Sequence, residues 1–346
     1  MKRLFSLLFA VLVSTMLFGQ VSMDFNVIGR VDANPRFTFD GEKPTYNWAN
    51  SSVYTQLETS FGEKFSLTLI NHWAASDEYE PRFPFAATPG LYTNIWKASA
   101  ATFVDYLYFE YKPSDRFSLR LGKDCVAMGG FEYDEWDWDV DYDLASTFWN
   151  WSQAYQWGAS IAWTNGSEDT EFRLQAVSSP GYIFEADENY VQRPWQNGLG
   201  AYFFQHTGEY GILETRNHVG FMMTKKNSGY LNAGVGLKFN VMDGLSVGAD
   251  FLDMYEIKLR NNYLHAIATA EYEPSERWEV LGKLGYENFL FDGDKGYRVF
   301  GGVSAAFFPL RNKKDLRIMG TLAGMTGLPG ISLTVGVTYN LPIHIL

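Results

Sequence analysis

The densest group of ionisable side chains in the sequence is an acidic run over residues 132–143. Its carboxylates are Glu132, Asp134, Glu135, Asp137, Asp139, Asp141 and Asp143. Trp, Trp, Val and Tyr stand at positions 136, 138, 140 and 142. In an extended chain this spacing places apolar side chains on one face and carboxylates on the other. Grouped carboxylates attract cations, either as part of a selective pore or as oxygen ligands of calcium.

The calcium interpretation is the weaker one. The run has no glycine at the turn position and lacks the spacing of an EF-hand. We therefore predict no metal site. A solvated acidic loop on the outside of the protein remains an alternative to a loop that lines a pore.

Other residues that could carry chemistry are scattered. The histidines are His72, His206, His218, His265 and His344, and no GxSxG, HExxH or glycine-rich phosphate loop occurs. The single cysteine, Cys125, excludes an intramolecular disulfide framework and CxxC sites. We predict no catalytic residues and no cofactor, so the chain is not expected to be an enzyme.

The charge balance excludes one class of partner. The 346 residues carry 28 Lys and Arg against 40 Asp and Glu, a formal net charge of −12. Such an acidic chain is not expected to bind nucleic acid.

The N-terminus predicts export. Lys2 and Arg3 precede an apolar run from Leu4 to Phe18, as in a secretory signal peptide over residues 1–19. The run is shorter than the roughly 20 residues that a membrane-spanning helix needs. No later segment approaches such a helix, so any membrane crossing by the mature domain, residues 20–346, must use strands.

The elements that would position the acidic run are strands. In residues 331–341, 230–241 and 155–164, apolar side chains alternate with small or polar ones, the period-two pattern of a strand. The same pattern along the chain predicts sixteen strands, near residues 24–32, 51–61, 65–74, 101–112, 117–125, 154–164, 171–178, 198–206, 217–224, 230–241, 245–255, 262–273, 278–289, 297–308, 316–324 and 331–341.

Connection lengths favour a transmembrane barrel over a soluble β-sandwich. Tight turns follow the even-numbered strands, whereas the long connections, near 33–50, 75–100, 126–153 and 179–197, follow odd-numbered ones. Outer-membrane barrels have this asymmetry. Many segments also reach the 9–11 residues of a tilted spanning strand. We predict an all-β, antiparallel up-and-down transmembrane barrel of about sixteen strands in the cell outer membrane, surrounded by lipid.

A barrel of this size encloses an aqueous channel. The polar strand faces then supply wall charges, most of which we expect water to solvate without partners. The basic ones are Arg30, Arg120, Arg173, Lys238, Lys283, Arg298 and Arg317. We expect the 126–153 connection to fold inward and to place the acidic run at a pore constriction, opposite Arg30, Arg120 and Arg173.

A short motif carries a family resemblance. Arg120-Leu121-Gly122-Lys123, followed by Gly129-Gly130-Phe131-Glu132-Tyr133-Asp134, resembles Gram-negative porins of the phosphate-selective porin O and P type and related Bacteroidetes porins. The resemblance implies a sixteen-stranded, usually trimeric passive channel whose third outer loop folds inward. Phosphate-selective members rely on a basic channel, and the acidic run departs from that pattern.

The sequence thus predicts a porin for passive diffusion of small hydrophilic solutes or ions, with a homotrimer implied by the resemblance. Two alternatives remain open. One is a structural or adhesion barrel without an open pore, and the other is a substrate-specific channel, for instance for anions such as phosphate.

Overall fold

The computed structural model describes residues 21–38, 45–47, 51–75, 104–134, 139–140, 144–151, 155–179, 200–224, 228–258, 260–291, 294–310, 314–326 and 330–344. The predicted signal peptide, residues 1–19, lies outside these ranges. The strands in the described residues are β1 (Val21–Thr38), β2 (Thr45–Asn47), β3 (Ser52–Phe61), β4 (Phe65–Ala75), β5 (Val104–Ser114), β6 (Phe117–Cys125), β7 (Tyr155–Thr164), β8 (Thr170–Ser178), β9 (Gly200–Tyr210), β10 (Leu213–Thr224), β11 (Ser228–Met242), β12 (Leu245–Glu256), β13 (Asn262–Ser275), β14 (Trp278–Phe291), β15 (Asp294–Phe307), β16 (Leu316–Met325) and β17 (Gly330–His344). A 3₁₀ turn (Glu132–Asp134) and a short helix, α1 (Thr147–Trp151), lie between β6 and β7.

The strands close into an antiparallel barrel. From β3 to β17 each strand pairs with the next one along the chain, and β1 completes the ring by pairing with β17 on one side and β3 on the other. The three-residue β2 pairs with β1 at Asn34–Arg36. Sixteen strands therefore form the wall, and the predicted barrel is confirmed.

Some strands are longer than predicted. β1 continues to Thr38, six residues beyond its predicted end, because it pairs with β17 as far as Gly330. β9 and β10 extend to Tyr210 and Leu213 and leave only Gly211 and Ile212 in the turn. The added residues are largely polar. They lack the alternation of apolar and polar side chains that predicts a strand, so the sequence pattern indicates a loop at these positions.

The two faces of the wall have the expected polarity. Outward apolar side chains are open to the surroundings, for example Leu121 at 68 % and Leu174 at 57 % exposure. Inward charged side chains are buried, for example Arg30 at 1 % and Glu287 at 0 %. An apolar exterior with a polar interior is the arrangement of an outer-membrane barrel, since lipid replaces the core of a soluble protein.

The tight turns lie at one end of the barrel. Gly62, Gly211 and Gly244 occupy three of them with φ of 63°, 67° and 73°, the left-handed region that glycine enters without a steric penalty. Near another turn the rings of Trp278 and Phe307 lie 4.9 Å apart, as expected for aromatic residues at a membrane interface. Within the described ranges, no helix has the length and hydropathy to cross a membrane.

Candidate functional site

The segment between β6 and β7, called here the inner loop (residues 126–154), enters the barrel at its first turn. Its described residues are 126–134, 139–140 and 144–151. The Gly129 N–H donates to His218 Nδ1 on β10 at 3.1 Å. The N–H groups of Phe131 and Glu132 donate to the two carboxylate oxygens of Asp250 on β12, at 2.9 and 2.8 Å. The wall thus satisfies the backbone of the loop, whose polar groups would be costly to bury unpaired.

Glu132, the first acid of the run, forms a buried ion pair. Its Oε1 lies 3.2 Å from Lys283 Nζ, and both side chains are at most 3 % exposed. The Ser146 N–H donates to the same oxygen at 2.9 Å. Burial alone would raise the pKa of Glu132, but Lys283, His265 and Ser146 outweigh it, so the pKa lies below its usual value. Glu132 is therefore a loop anchor that is ionised at neutral pH.

A second anchor holds the returning half of the inner loop. Glu287 on β14 accepts hydrogen bonds from the Thr147 N–H at 2.5 Å and the Thr147 hydroxyl at 2.9 Å. The Nε of Arg298 lies 2.7 Å from the same carboxylate, and its NH2 group donates to the Ala145 carbonyl at 2.8 Å. A wall carboxylate thus satisfies the first turn of α1, where N–H groups have no partner within the helix.

The middle of the loop reaches the seam where the barrel closes. Asp139 lies 2.8 Å from Arg317 on β16. The Val140 carbonyl accepts a hydrogen bond of 2.7 Å from Arg30 on β1, which also pairs with Asp32 at 2.8 Å. The Ala127 N–H also donates to Gln175 on β8 at 2.8 Å. The described parts of the inner loop are therefore fixed to the wall from β8 through β16 to β1.

Apolar side chains fill the space between the loop and this wall. Ring centroids of Phe148 on the loop and Tyr263 on β13 lie 6.3 Å apart, and the Phe148 N–H donates to the Tyr263 hydroxyl. The buried cluster consists of Val126, Ala127, Met128, Tyr133, Phe148, Val177, Ala201, Phe203, Met222, Tyr230, Leu252, Met254, Tyr263 and Phe289. We call the inner faces of β9–β16, together with the Gln175–Ser178 end of β8, the loop-covered sector, and its apolar part lies on β8–β14.

Two wall glycines make room for the loop. A Cβ on Gly236 would lie 2.7 Å from Asp250 Oδ1 and 3.0 Å from the Phe131 ring. A Cβ on Gly302 would lie 2.9 Å from Leu144 and closer still to the backbone of β16. These two glycines allow close packing between the loop and the wall.

A different arrangement occupies the inner faces of β5–β8, which we call the charge-line sector. Charges of alternating sign follow one another there, in the order Lys112, Glu110, Arg120, Asp124, Arg173 and Glu171. Arg120 lies 2.8 Å from Glu110 and 3.4 Å from Asp124. Arg173 lies 3.9 Å from Asp124 and 3.0 Å from Glu171. Arg120 is 24 % and Glu171 31 % exposed, whereas Glu110 and Asp124 are 10 % and 9 % exposed, so water reaches the cations and the Glu171 end of the line.

The structure pairs the predicted wall cations, so the expectation that water solvates most of them without partners was wrong. Carboxylates lie within 4 Å of all seven, because acids of the same inner face pair with five of them and acids of the inner loop pair with Lys283 and Arg317. Arg30, Lys283, Arg298 and Arg317 also contact or hold the inner loop, as described above. Lys238 pairs with Glu271 at 2.6 Å.

Three of the seven predicted constriction residues lie in the described part of the chain. Glu132 and Asp139 lie against Lys283 and Arg317, and Asp134 ends the 3₁₀ turn. The remaining acids, Glu135, Asp137, Asp141 and Asp143, lie outside the described residues. Within the described ranges, Arg120 and Arg173 pair with wall carboxylates, and of the three cations expected opposite the run only Arg30 meets the loop.

Sequence reasoning missed Asp250 and Glu287 as loop receptors and the apolar cluster inside the barrel. A signal for the cluster exists. The stretches 221–223 and 251–255 lose the alternation, because Met222, Leu252 and Met254 place apolar side chains on the inward face. Strands that are apolar on both faces indicate burial on both sides.

Comparisons with known proteins agree with this architecture. The family described as phosphate-selective porin O and P matches residues 65–201, less than half of the chain. No curated protein matches the chain in sequence.

Solved structures show the same fold at low identity. An anion-selective porin from Comamonas acidovorans has a TM-score of 0.62 and 9 % identity, covering 93 % of this chain and all of that one. The outer membrane channel DcaP of Acinetobacter baumannii has a TM-score of 0.61 and 10 % identity, covering 93 % and 97 %. OmpT of Vibrio cholerae in a trimer form has a TM-score of 0.58 and 10 % identity, covering 93 % and 99 %.

The family match and the fold confirm the resemblance found in the sequence, and they point to a channel rather than to an enzyme. The chain is similar to the phosphate-selective porins and is a porin-type β-barrel of the outer membrane.

Proposed function

We propose that small hydrophilic solutes diffuse through this porin along the charge-line sector, between the inner loop and the wall of β5–β8. The observation that supports this path is the difference in burial between the two sides of the lumen. Apolar side chains and buried ion pairs fill the loop-covered sector. In the other sector Arg120, Arg173 and Glu171 remain part-exposed at 24 %, 15 % and 31 %, although Glu110 and Asp124 between them are nearly buried.

Planar-bilayer recording tests the open pore. We expect stepwise openings from the purified mature protein, with an ohmic current at low voltage. A barrel that serves only structure or adhesion inserts without conducting, and the absence of steps would favour that alternative.

The acidic run is proposed to line the constriction and to favour cations. Seven carboxylates occur within twelve residues, and in the described part Lys283 and Arg317 compensate Glu132 and Asp139. Replacing Asp137, Asp139 and Asp141 by Asn should lower the cation-to-anion permeability ratio, measured as the reversal potential in a salt gradient. An unchanged permeability ratio would show that the acidic run does not determine the ion selectivity of the pore.

An anion-specific channel is the second candidate. The matched family is described as phosphate-selective, and one structural relative is an anion-selective porin. Arg120 and Arg173 supply guanidinium groups on the β5–β8 wall, but carboxylates already contact both. The sign of the reversal potential in potassium phosphate distinguishes the two candidates.

We also propose a homotrimer. OmpT of Vibrio cholerae has been solved in a trimer form, and the outer face of this barrel is apolar. Native mass spectrometry in detergent should give three times the mass of the mature chain, and a single-chain mass would contradict the proposal.

A further inference from the structure

The alternating order of the charge line suggests which solutes it favours. Five consecutive contacts link six charges, and each contact joins opposite signs at 2.8–3.9 Å. A wall of one sign would attract ions of the other sign. Along this line, an ion of either sign meets a like charge next to each unlike one, so it gains little from the series as a whole.

The strands hold the order of the signs. Arg120 on β6 and Glu110 on β5 are direct partners across the ladder. β7 lies between β6 and β8 and places Ser160 opposite Arg120. The Arg173 guanidinium on β8 lies 3.9 Å from Asp124 on β6, so the contact spans β7. The line therefore continues across a strand that adds no charge to it.

These wall pairs are suited to exchange with a solute. Ion pairs in contact with water contribute little stability, because water solvates the separated charges almost as well. Arg173 and Glu171 are 15 % and 31 % exposed. By contrast, Arg298 and Glu287 in the loop-covered sector are 2 % and 0 % exposed, and breaking a buried pair leaves an uncompensated charge. The Arg173–Glu171 pair can therefore release its partners at a lower cost than the buried Arg298–Glu287 pair.

We propose that the charge line is a transit site for zwitterionic solutes, such as amino acids and short peptides, whose paired charges replace wall partners in turn. The proposal rests on the diffusion function proposed above. A solute with an ammonium and a carboxylate group matches two successive positions of the line at once. Such binding is complementary in charge and weak enough to permit release, which conduction requires.

Liposome swelling measures directly whether the pore passes a zwitterion faster than a neutral solute. The probes are glycylglycine, a zwitterion, and N-acetylglycinamide, a neutral compound of similar size. The wild-type protein should pass glycylglycine about threefold faster, the factor expected from one weak ion pair. Equal rates for the two probes would overturn the proposal and leave the porin function intact. If neither probe enters, the diffusion function itself fails.

A charge-order variant isolates the role of the line. Exchanging two neighbours, Arg173→Glu with Glu171→Arg, keeps the net charge but places like charges side by side. The rate ratio should fall towards one, while N-acetylglycinamide entry shows that the variant has folded and conducts. Arg173→Gln provides a second variant, which should lower the ratio without adding a new charge.

Lys314→Gln is the matched control, because Lys314 pairs with Glu273 and Glu279 outside the line. Its rate ratio should equal that of the wild type. The proposal would be overturned if glycylglycine still entered faster through both Arg173 variants. It would also be overturned if Lys314→Gln lowered the rate ratio as much as the Arg173 variants do.

Discussion

Two sectors of the lumen use the same chemical pair for different purposes. In the loop-covered sector, Arg298 and Glu287 lie 2.7 Å apart and are almost fully buried. In the charge-line sector, Arg173 and Glu171 lie 3.0 Å apart and remain in contact with water. The distances are similar, so burial distinguishes the two pairs. The first pair fixes a loop, and the second presents charge to whatever passes.

The largest effect should come from breaking a buried pair. Lys283→Met leaves Glu132 charged and unpaired, which should cost about 3–5 kcal/mol of unfolding free energy. Guanidinium titration in phospholipid vesicles measures the loss. The inner loop should also become accessible to protease. Lys314→Met, in an exposed pair, is the control. A loss below about 1 kcal/mol would show that the two sectors do not differ as described.

A charged side chain introduced on the outer face should lower the unfolding free energy somewhat less than the loss of a buried ion pair does. Leu121 lies at the middle of β6 and is 68 % exposed to lipid. Leu121→Arg should destabilise the barrel by about 2–4 kcal/mol. Gln56→Arg, on the inner face of β3 beside Glu58, should change stability by no more than about 0.5 kcal/mol. Equal losses, measured by refolding yield into vesicles against urea, would contradict the assignment of faces.

A side chain at Gly236 should disturb loop packing. Gly236→Val introduces a Cβ close to Asp250 and Phe131, with an expected cost of about 1–3 kcal/mol. Gly282→Val is the control, because the nearest atom to its Cβ is the Ala270 carbonyl oxygen at 3.9 Å. Hydrogen exchange of residues 126–134 should rise in the first variant only. Protection unchanged by Gly236→Val would mean that the loop does not rest on this wall.

The smallest effect should come from a short but exposed pair. Lys238 lies 2.6 Å from Glu271, closer than Lys283 lies to Glu132, yet the two side chains are 25 % and 41 % exposed. Lys238→Met should therefore change unfolding free energy by at most about 1 kcal/mol. Thermal shift on gels would reveal a larger loss, which would show that distance outweighs burial in this lumen.

The strands were predictable because a period of two is a local property. In β17 the side chains of Leu333 and Thr334 point to opposite faces in any sheet, so the sequence alone separates lipid from lumen. The tight turns after even-numbered predicted strands, such as the one that contains Gly62, are likewise a local feature of the sequence. The end of β1 is not, because it depends on pairing with β17, whose sequence lies about 300 residues away.

The sequence predicts the direction of the inner loop but not its contacts. Aromatic residues between the acids favour a loop that packs on a wall. Its receptors are Asp250 and Glu287, which lie 118 and 140 residues from their loop partners. A lone acid on a strand has the same sequence pattern whether it faces water or a backbone N–H. Only the closed barrel distinguishes these cases.

The separation between the inner loop and its receptors has a consequence for assembly. Glu132 reaches Lys283 over 151 residues, and Arg298 reaches Ala145 over 153. Contacts of such long range form late, after the intervening chain has been ordered. The nascent polypeptide must therefore carry Tyr133 and Phe148 without their final partners until β12–β16 have joined the sheet. During biogenesis, these exposed aromatic side chains therefore make the segment prone to premature association with other chains.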